Sequence, residues 1–230
     1  MEQQALWFLE NIDVTGIFCP KKIGRGDLEK HAHKVYPKGD YIYLPNEYAN
    51  RVFFLTEGRV KIGSYNQEGK EITKAILTKG EVFGELSMIG ESKRRDFAYA
   101  MEKTTVCILS TQEMQTLMRD HNAFGLFMMK IMGSRVLQME KRLESLVFKD
   151  SRTRIIEFLY DLAQEKGHQV GFEREVRKFL THQEIANLTA TSRQTVTTVL
   201  NELRKQEILT FNRRRMLVRD MDMLRTATNT

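Results

Sequence analysis

The hydrophobic period of this chain switches near Thr111, and no other feature restricts its possible folds as much. From residue 31 to 110, apolar runs of strand length alternate with glycine turns: Pro37-Lys38-Gly39-Asp40, Thr56-Glu57-Gly58-Arg59, Asn66-Gln67-Glu68-Gly69 and Thr78-Lys79-Gly80-Glu81. Between them lie apolar runs at 41–44, 51–55, 60–62 and 72–77, with another at 105–109. Strand-length runs closed by turn signals predict an antiparallel sandwich or barrel. Residues 1–30 are mixed, with a weak helical start and a loop around Gly24-Arg25-Gly26-Asp27.

After Thr111 glycine thins out, and six of the twelve methionines fall between Met114 and Met139. Met128, Met132, Val136, Met139, Leu143 and Leu146 follow one another in steps of four and three. Such steps draw a narrow apolar seam on a helix, the heptad-like pattern of two helices that pair. An internal core helix would also satisfy the periodicity; the length and narrowness of the seam favour a dimer. Phe124, Phe127 and Ile131 form a second face expected to pack back on the sheet. Phe148-Lys149-Asp150 is the expected hinge, so the chain divides into 1–110, 111–149 and 150–230. Beyond the hinge, 152–165 reads as an amphipathic helix ended by Lys166-Gly167 in the manner of a glycine C-cap, and 170–180 as a small hairpin.

Residues 181–205 carry the clearest chemistry. Thr181-His182-Gln183-Glu184 has the form of a capping box. The helix it starts runs through Ile185, Ala186 and Leu188 and breaks at Thr189-Ala190-Thr191. Ser192 is a second N-cap, and 193–205 form a helix whose inner face is Val196, Val199, Leu200 and Leu203. Two helices joined by so short a turn make a helix-turn-helix. Arg193, Gln194, Thr197 and Thr198 lie on the opposite face, near the helix start that meets base edges in a major groove. Arg193 can donate twice to guanine O6 and N7, and Gln194 can pair with adenine N6 and N7. The threonines let the helix sit deep and can contact phosphate or a thymine methyl group. Two short strands at 208–210 and 216–218, around Phe211-Asn212-Arg213-Arg214-Arg215, predict a wing with an arginine tip. Thr181, Ser192, Arg204, Lys205, Arg213, Arg214 and Arg215 are the expected contacts to a DNA backbone.

Charge supports this placement. The chain holds 36 Lys and Arg against 30 Asp and Glu, a net +6. From 174 to 219, ten basic residues face four acidic ones, so this stretch holds a surplus as large as that of the whole chain. With 41% apolar and 29% charged residues the chain can build real cores. No signal peptide and no run of 18 apolar residues is present, so a soluble cytoplasmic protein is expected, with no membrane partner.

Together these features resemble the family of the cyclic-AMP receptor protein and the fumarate–nitrate reduction regulator. The resemblance covers residues 20–225 and rests on three stretches. They are Gly80-Glu81-Val82-Phe83-Gly84-Glu85-Leu86-Ser87; Leu146-Val147-Phe148-Lys149-Asp150-Ser151-Arg152-Thr153-Arg154; and Gln183-Glu184-Ile185-Ala186 with Thr191-Ser192-Arg193-Gln194-Thr195-Val196. It implies an α+β fold: an N-terminal antiparallel β-roll of the cyclic-nucleotide-binding type, a long dimerisation helix and a C-terminal winged helix-turn-helix. It also implies a homodimeric transcription regulator that binds double-stranded DNA, contacts RNA polymerase and senses a small effector in the β-roll.

In the family, the stretch matching 84–96 is a phosphate-binding cassette. A Gly-Glu pair contacts the ribose and a later Arg-Ser or Arg-Thr pair holds the cyclic phosphate. This chain keeps Gly84, Glu85 and Arg95, beside Leu86 and Arg94, but has Asp96 where the hydroxyl stands. A carboxylate there removes a donor and adds repulsion of about 4 kcal/mol at about 4 Å in an effective dielectric near 20. The family's adenine-contacting Thr-Ser pair falls on Met139-Glu140, a second departure. Both argue against cyclic AMP. The site is then a pocket for another ligand or a vestige; Glu85 and Arg95 as a buried ion pair, or Asp96 paired with Arg95, are equally open.

In the recognition helix the family often has Arg-Glu followed by Arg; here the last two positions are Gln194 and Thr198, so the operator should differ where those residues read. Cys19 alone cannot supply an iron–sulfur cluster. His31, His33 and Cys19 are the candidates for haem ligation, but lone residues of these types are more often surface or core, so haem is not expected, nor is a bound metal. Reversible oxidation of Cys19 stays open. There is no Gly-rich phosphate loop, GxSxG, HExxH or catalytic-cysteine context, so no enzyme is expected. The competing reading is a dimeric ligand-binding protein that has lost DNA binding.

Overall fold

The computed structural model describes residues 32–229. Expectations on residues 1–30, and on Cys19 and His31, lie outside the described residues. The chain forms two compact units, the first ending at Arg135 and the second beginning at Val136.

The first unit is a β-roll of two four-stranded antiparallel sheets. One has the order β1 (Ala32–Tyr36), β8 (Thr104–Ser110), β3 (Arg51–Glu57), β6 (Val82–Phe83). The other has the order β2 (Tyr41–Tyr43), β7 (Phe97–Ala100), β4 (Val60–Tyr65), β5 (Glu71–Leu77). The glycines of the four expected turns, Gly39, Gly58, Gly69 and Gly80, all have positive φ. The run Val52-Phe53-Phe54-Leu55 is continuous because β3 is buried on both faces. Phe53 and Leu55 enter the core between the sheets with Tyr43, Ile62 and Phe83. Val52 and Phe54 enter a second core with Leu109, Met114, Phe124 and Met128.

That second core is where helices cover the sheet. The stretch expected as one helix is two: α1 (Thr111–Asp120) and α2 (Asn122–Phe148), separated by His121 in an extended conformation. Ser110 and Glu113 form a capping box at the start of α1. Phe127 and Ile131 of α2 pack on the second core, as expected of that face. Met128 does so too, at 4% exposure, which corrects its assignment to the dimer seam. Its side chain is spent on its own β-roll; Met132 is half-buried, and the remaining residues of the expected seam, Val136, Met139, Leu143 and Leu146, are exposed.

The second unit holds the rest of α2, then α3 (Ser151–Lys166) and the hairpin β9 (His168–Val170) with β10 (Glu173–Arg177). There follow α4 (His182–Thr189), α5 (Arg193–Lys205), β11 (Leu209–Phe211), β12 (Arg215–Val218) and α6 (Met221–Thr226). The second hairpin joins the first in one antiparallel sheet, β11-β12-β10-β9. Asp150 caps α3 by accepting from the Thr153 amide. Gly167 does end α3, but in an extended rather than left-handed conformation. Glycine is needed there for close approach, since an added Cβ would lie 2.2 Å from the Ala163 carbonyl oxygen. Ile155, Ile156 and Leu159 of α3 are fully buried, as are Ile185, Leu200, Leu203 and Leu209. Among the described residues, no helix is long and apolar enough to cross a membrane.

Candidate functional site

Local hydrogen bonds build the two helices of the head. Thr181 accepts from the Glu184 amide at 3.2 Å while the Glu184 carboxylate accepts from the Thr181 amide at 2.7 Å, satisfying two donors at the start of α4. Ala190 takes a left-handed turn, φ 51°, and Ser192 caps α5 by accepting from the Thr195 amide at 3.0 Å. Val196, Val199, Leu200 and Leu203 are buried, which leaves Arg193, Gln194 and Thr198 exposed on the outer face. Thr197, on the same face, is half-buried. Its hydroxyl donates to the Arg193 carbonyl oxygen at 2.9 Å, and its Oγ1 lies 2.8 Å from Nδ1 of His182. Burial and the nearby Arg193 charge hold the His182 imidazole below its usual pKa.

The wing turn is set by Asn212, whose side-chain oxygen accepts from the amides of Arg214 (2.8 Å) and Arg215 (3.0 Å). Arg213 and Arg214 stand exposed at the tip. Arg215 donates to Glu175 at 3.2 Å, and Arg177 donates to the same carboxyl group at 2.8 Å. These two bonds hold the Glu175 carboxyl below its ordinary range. Arg204 lies over the Phe211 ring at 5.4 Å and Lys205 is exposed, both at the far end of α5 from Arg193. Arg193 at the exposed start of α5 and Arg213 and Arg214 at the hairpin tip offer donors for phosphates and base edges.

Two arginines that the sequence did not single out fix α4 from behind. Arg142 donates to the Leu188 carbonyl oxygen at 2.9 Å, and Arg154 donates to those of Thr189 (3.0 Å) and Ala190 (3.1 Å). They satisfy the carbonyls that the end of a helix leaves unpaired.

In the β-roll, Gly84 has φ 76°, and an added Cβ there would lie 2.8 Å from Nη1 of Arg94. Glu85 opens a 3₁₀ turn, Glu85–Ile89, and is buried. Its carboxylate pairs with Arg135 of α2, which also donates to the Val82 carbonyl oxygen. This corrects the Glu85–Arg95 alternative: Arg95 is turned outward and pairs with Glu91. The buried guanidinium is Arg94, which donates to the Gly84 carbonyl oxygen at 2.9 Å and lies 4.5 Å over the Tyr43 ring. Burial lowers its pKa.

Asp96 does not pair with Arg95 either. It accepts from the Tyr43 hydroxyl at 3.3 Å and pairs with Lys74 at 3.2 Å. Burial, and then Asp96, push the Tyr43 phenol up. Leu86 is partly exposed, and Met139 and Glu140 are exposed on α2 within the second unit. Arg135 announces itself in the sequence only as a cation interrupting the apolar stripe between Met132 and Val136.

Comparison with known proteins follows the same division. Residues 33–121 match the cyclic nucleotide-binding domain, and residues 153–227 match the Crp-like helix-turn-helix domain. A global nitrogen regulator of Synechococcus elongatus is 30% identical over 200 residues, covering 86% of this chain and 90% of that protein. The chain belongs to the Crp/Fnr family. Other Crp/Fnr relatives include a CRP-like cAMP-activated global transcriptional regulator of Mycobacterium tuberculosis, 25% identical over 82% of this chain and 84% of that one. The structure of a CooA mutant from Carboxydothermus hydrogenoformans superimposes with a TM-score of 0.75 at 33% identity, covering 86% of this chain and 87% of the other. The chain is therefore a DNA-binding transcription regulator of Crp/Fnr type with an effector-binding domain; the members of this family are regulators rather than enzymes.

Proposed function

We propose that the chain works as a homodimer that reads a palindromic operator, with Arg193, Gln194, Thr197 and Thr198 at the base edges. Thr181, Ser192, Arg204, Lys205, Arg213, Arg214 and Arg215 contact the backbone. The observation that carries this reading is the exposed start of α5, where Arg193 and Gln194 stand clear of the core on a helix capped by Ser192. Val136, Met139, Leu143 and Leu146 supply the dimer seam; each is at least 49% exposed, an unusual state for four apolar side chains on one stripe. Two-fold symmetry then places the half-sites about one helical turn apart.

The β-roll senses a small effector other than cyclic AMP and changes how the two heads are posed, acting only through its differential affinity for the two poses. Asp96, engaged with Tyr43 and Lys74, and Glu85, engaged with Arg135, support an effector of different chemistry. Contact with RNA polymerase follows from the family resemblance. Selection of duplexes from a randomised pool tests the reading. A palindrome bound by two protomers is expected, and a pool that never converges would overturn it.

A further inference from the structure

His182 is the first residue of α4, and its ring stands between the recognition helix and the wing. Nδ1 lies 2.8 Å from Oγ1 of Thr197, and the ring centroid lies 5.7 Å from that of Phe211. The Thr197 hydroxyl also donates to the Arg193 carbonyl oxygen at 2.9 Å. A hydroxyl has one proton and two lone pairs. With its proton on the Arg193 carbonyl, Thr197 must accept in the other bond, so the imidazole carries its proton on Nδ1. Thr197 has then spent its donor and one lone pair inside the protein. It has no proton left to donate, so it can offer an arriving base edge only one remaining lone pair and its methyl, and the methyl is the part that distinguishes it from serine. In a major groove the complementary group is the 5-methyl of thymine, which no other base of DNA carries.

We infer that Thr197 reads the 5-methyl group of a thymine in each half-site, and that His182 is the positioning residue that holds it methyl-outward. Thr198 differs: it is exposed one position on, so the two threonines are not equivalent readers. One of the two hydrogen bonds ties Thr197 to the backbone carbonyl of Arg193, one helical turn before it on the same face of α5. The inference rests on the reading of this face of α5 as the base-reading surface.

The test uses a duplex selected by the wild-type protein, with the thymines of one half-site replaced singly by deoxyuridine, which removes only the methyl group. One replacement is expected to weaken binding by about tenfold, the low end of what a missing methylene is worth in an apolar contact. Thr197→Val keeps a methyl but loses both positioning bonds, so it should retain a reduced thymine preference like that of His182→Ala; Thr197→Ser should lose it. His182→Ala should reduce the preference while the duplex is still bound. The ratio of thymine to deoxyuridine affinity is insensitive to the fraction of protein folded. The inference is overturned if no replacement changes affinity, or if Ser keeps the preference and Val loses it. If Arg193→Ala still relaxes preference at another position in that case, the base-reading face stands and only the role of Thr197 falls. If Arg193→Ala also leaves every preference unchanged, the base-reading face itself is wrong.

Discussion

Nε of Arg154 donates to the Thr189 carbonyl oxygen at 3.0 Å, and through this bond α3 holds the C-terminal end of the first helix of the helix-turn-helix. The same guanidinium donates to the carbonyl oxygens of Ala190 (3.1 Å) and Lys149 (2.8 Å), so one side chain ties the link between α2 and α3 to the turn between α4 and α5. Arg154→Ala should lower the stability of the DNA-binding unit by about 1–2 kcal/mol, since hydrogen bonds from a charged donor are lost but water reaches the exposed Ala190 carbonyl and part of the others. Urea unfolding followed by far-UV circular dichroism checks this. Arg154→Lys, which offers a point charge in place of a planar fork, should recover only part of the loss.

Breaking the Glu85–Arg135 pair from one side should destabilise the β-roll by about 3–5 kcal/mol, because a buried carboxylate loses its counter-charge. Arg135→Met alone should show the full effect. Arg135→Met combined with Glu85→Gln should show much less, and the thermal midpoints of wild type, each single variant and the double variant give the coupling directly.

Arg193→Ala should cost about 1–3 kcal/mol on a selected operator and relax the preference at one position per half-site. Replacing Arg213 and Arg214 together should instead weaken binding to every sequence and reduce the slope of log K against log salt by about 2 per protomer, about 4 for two protomers on one duplex. Arg215 should count for less than either, since its guanidinium is already engaged with Glu175. Titrations of specific and scrambled duplexes at several salt concentrations separate the two behaviours.

His182 is held below its usual pKa of 6.5 by burial and by Arg193, so the folded protein disfavours the imidazolium. The unfolded chain therefore binds more protons near and below pH 6.5, and stability falls as pH drops through that value until the folded pKa is passed. The His182 contribution should be absent at pH 7.5 and unfavourable at pH 5.5. Urea midpoints of wild type and His182→Gln should converge or cross as pH falls.

Much of the head is written locally. The caps at Thr181, Glu184 and Ser192 act within three residues of their targets, and the buried face of α5 follows a helical repeat, so sequence alone places both helices and the wing. The β-roll is less transparent. β6 has only two residues, and β7 reads Phe97-Ala98-Tyr99-Ala100, with no turn signal to frame it. Arg94 and Arg95 lie in the irregular segment before β7, so no strand period decides which turns inward; the partners that take Arg94, the carbonyls of Gly84 and Arg51 and the Tyr43 ring, are far along the chain. The capture of Glu85 by Arg135, fifty positions away, is likewise non-local. Met128 shows why a heptad stripe does not name its partner: the same spacing serves a sheet and a second helix, and here the sheet takes it.

The proposed dimer seam can be tested without altering the DNA-reading face. Leu143→Lys places a charge in the middle of the exposed stripe 136–146, and should shift the protein to monomers in sedimentation velocity. The isolated monomer should lose operator binding steeply, since each half-site then binds without its linked neighbour.

Two copies of this chain are proposed to bind one palindromic duplex through the α5 face and the arginine wing. The most direct measurement is the affinity and stoichiometry on a selected duplex between about 50 and 200 mM salt, where several phosphate contacts lower affinity by orders of magnitude. The account predicts two protomers per duplex, a steep linear fall of log K with log salt, and a clear advantage over scrambled sequence at every point. Absence of duplex binding at the lowest salt, or binding that is equal on all sequences, would contradict it.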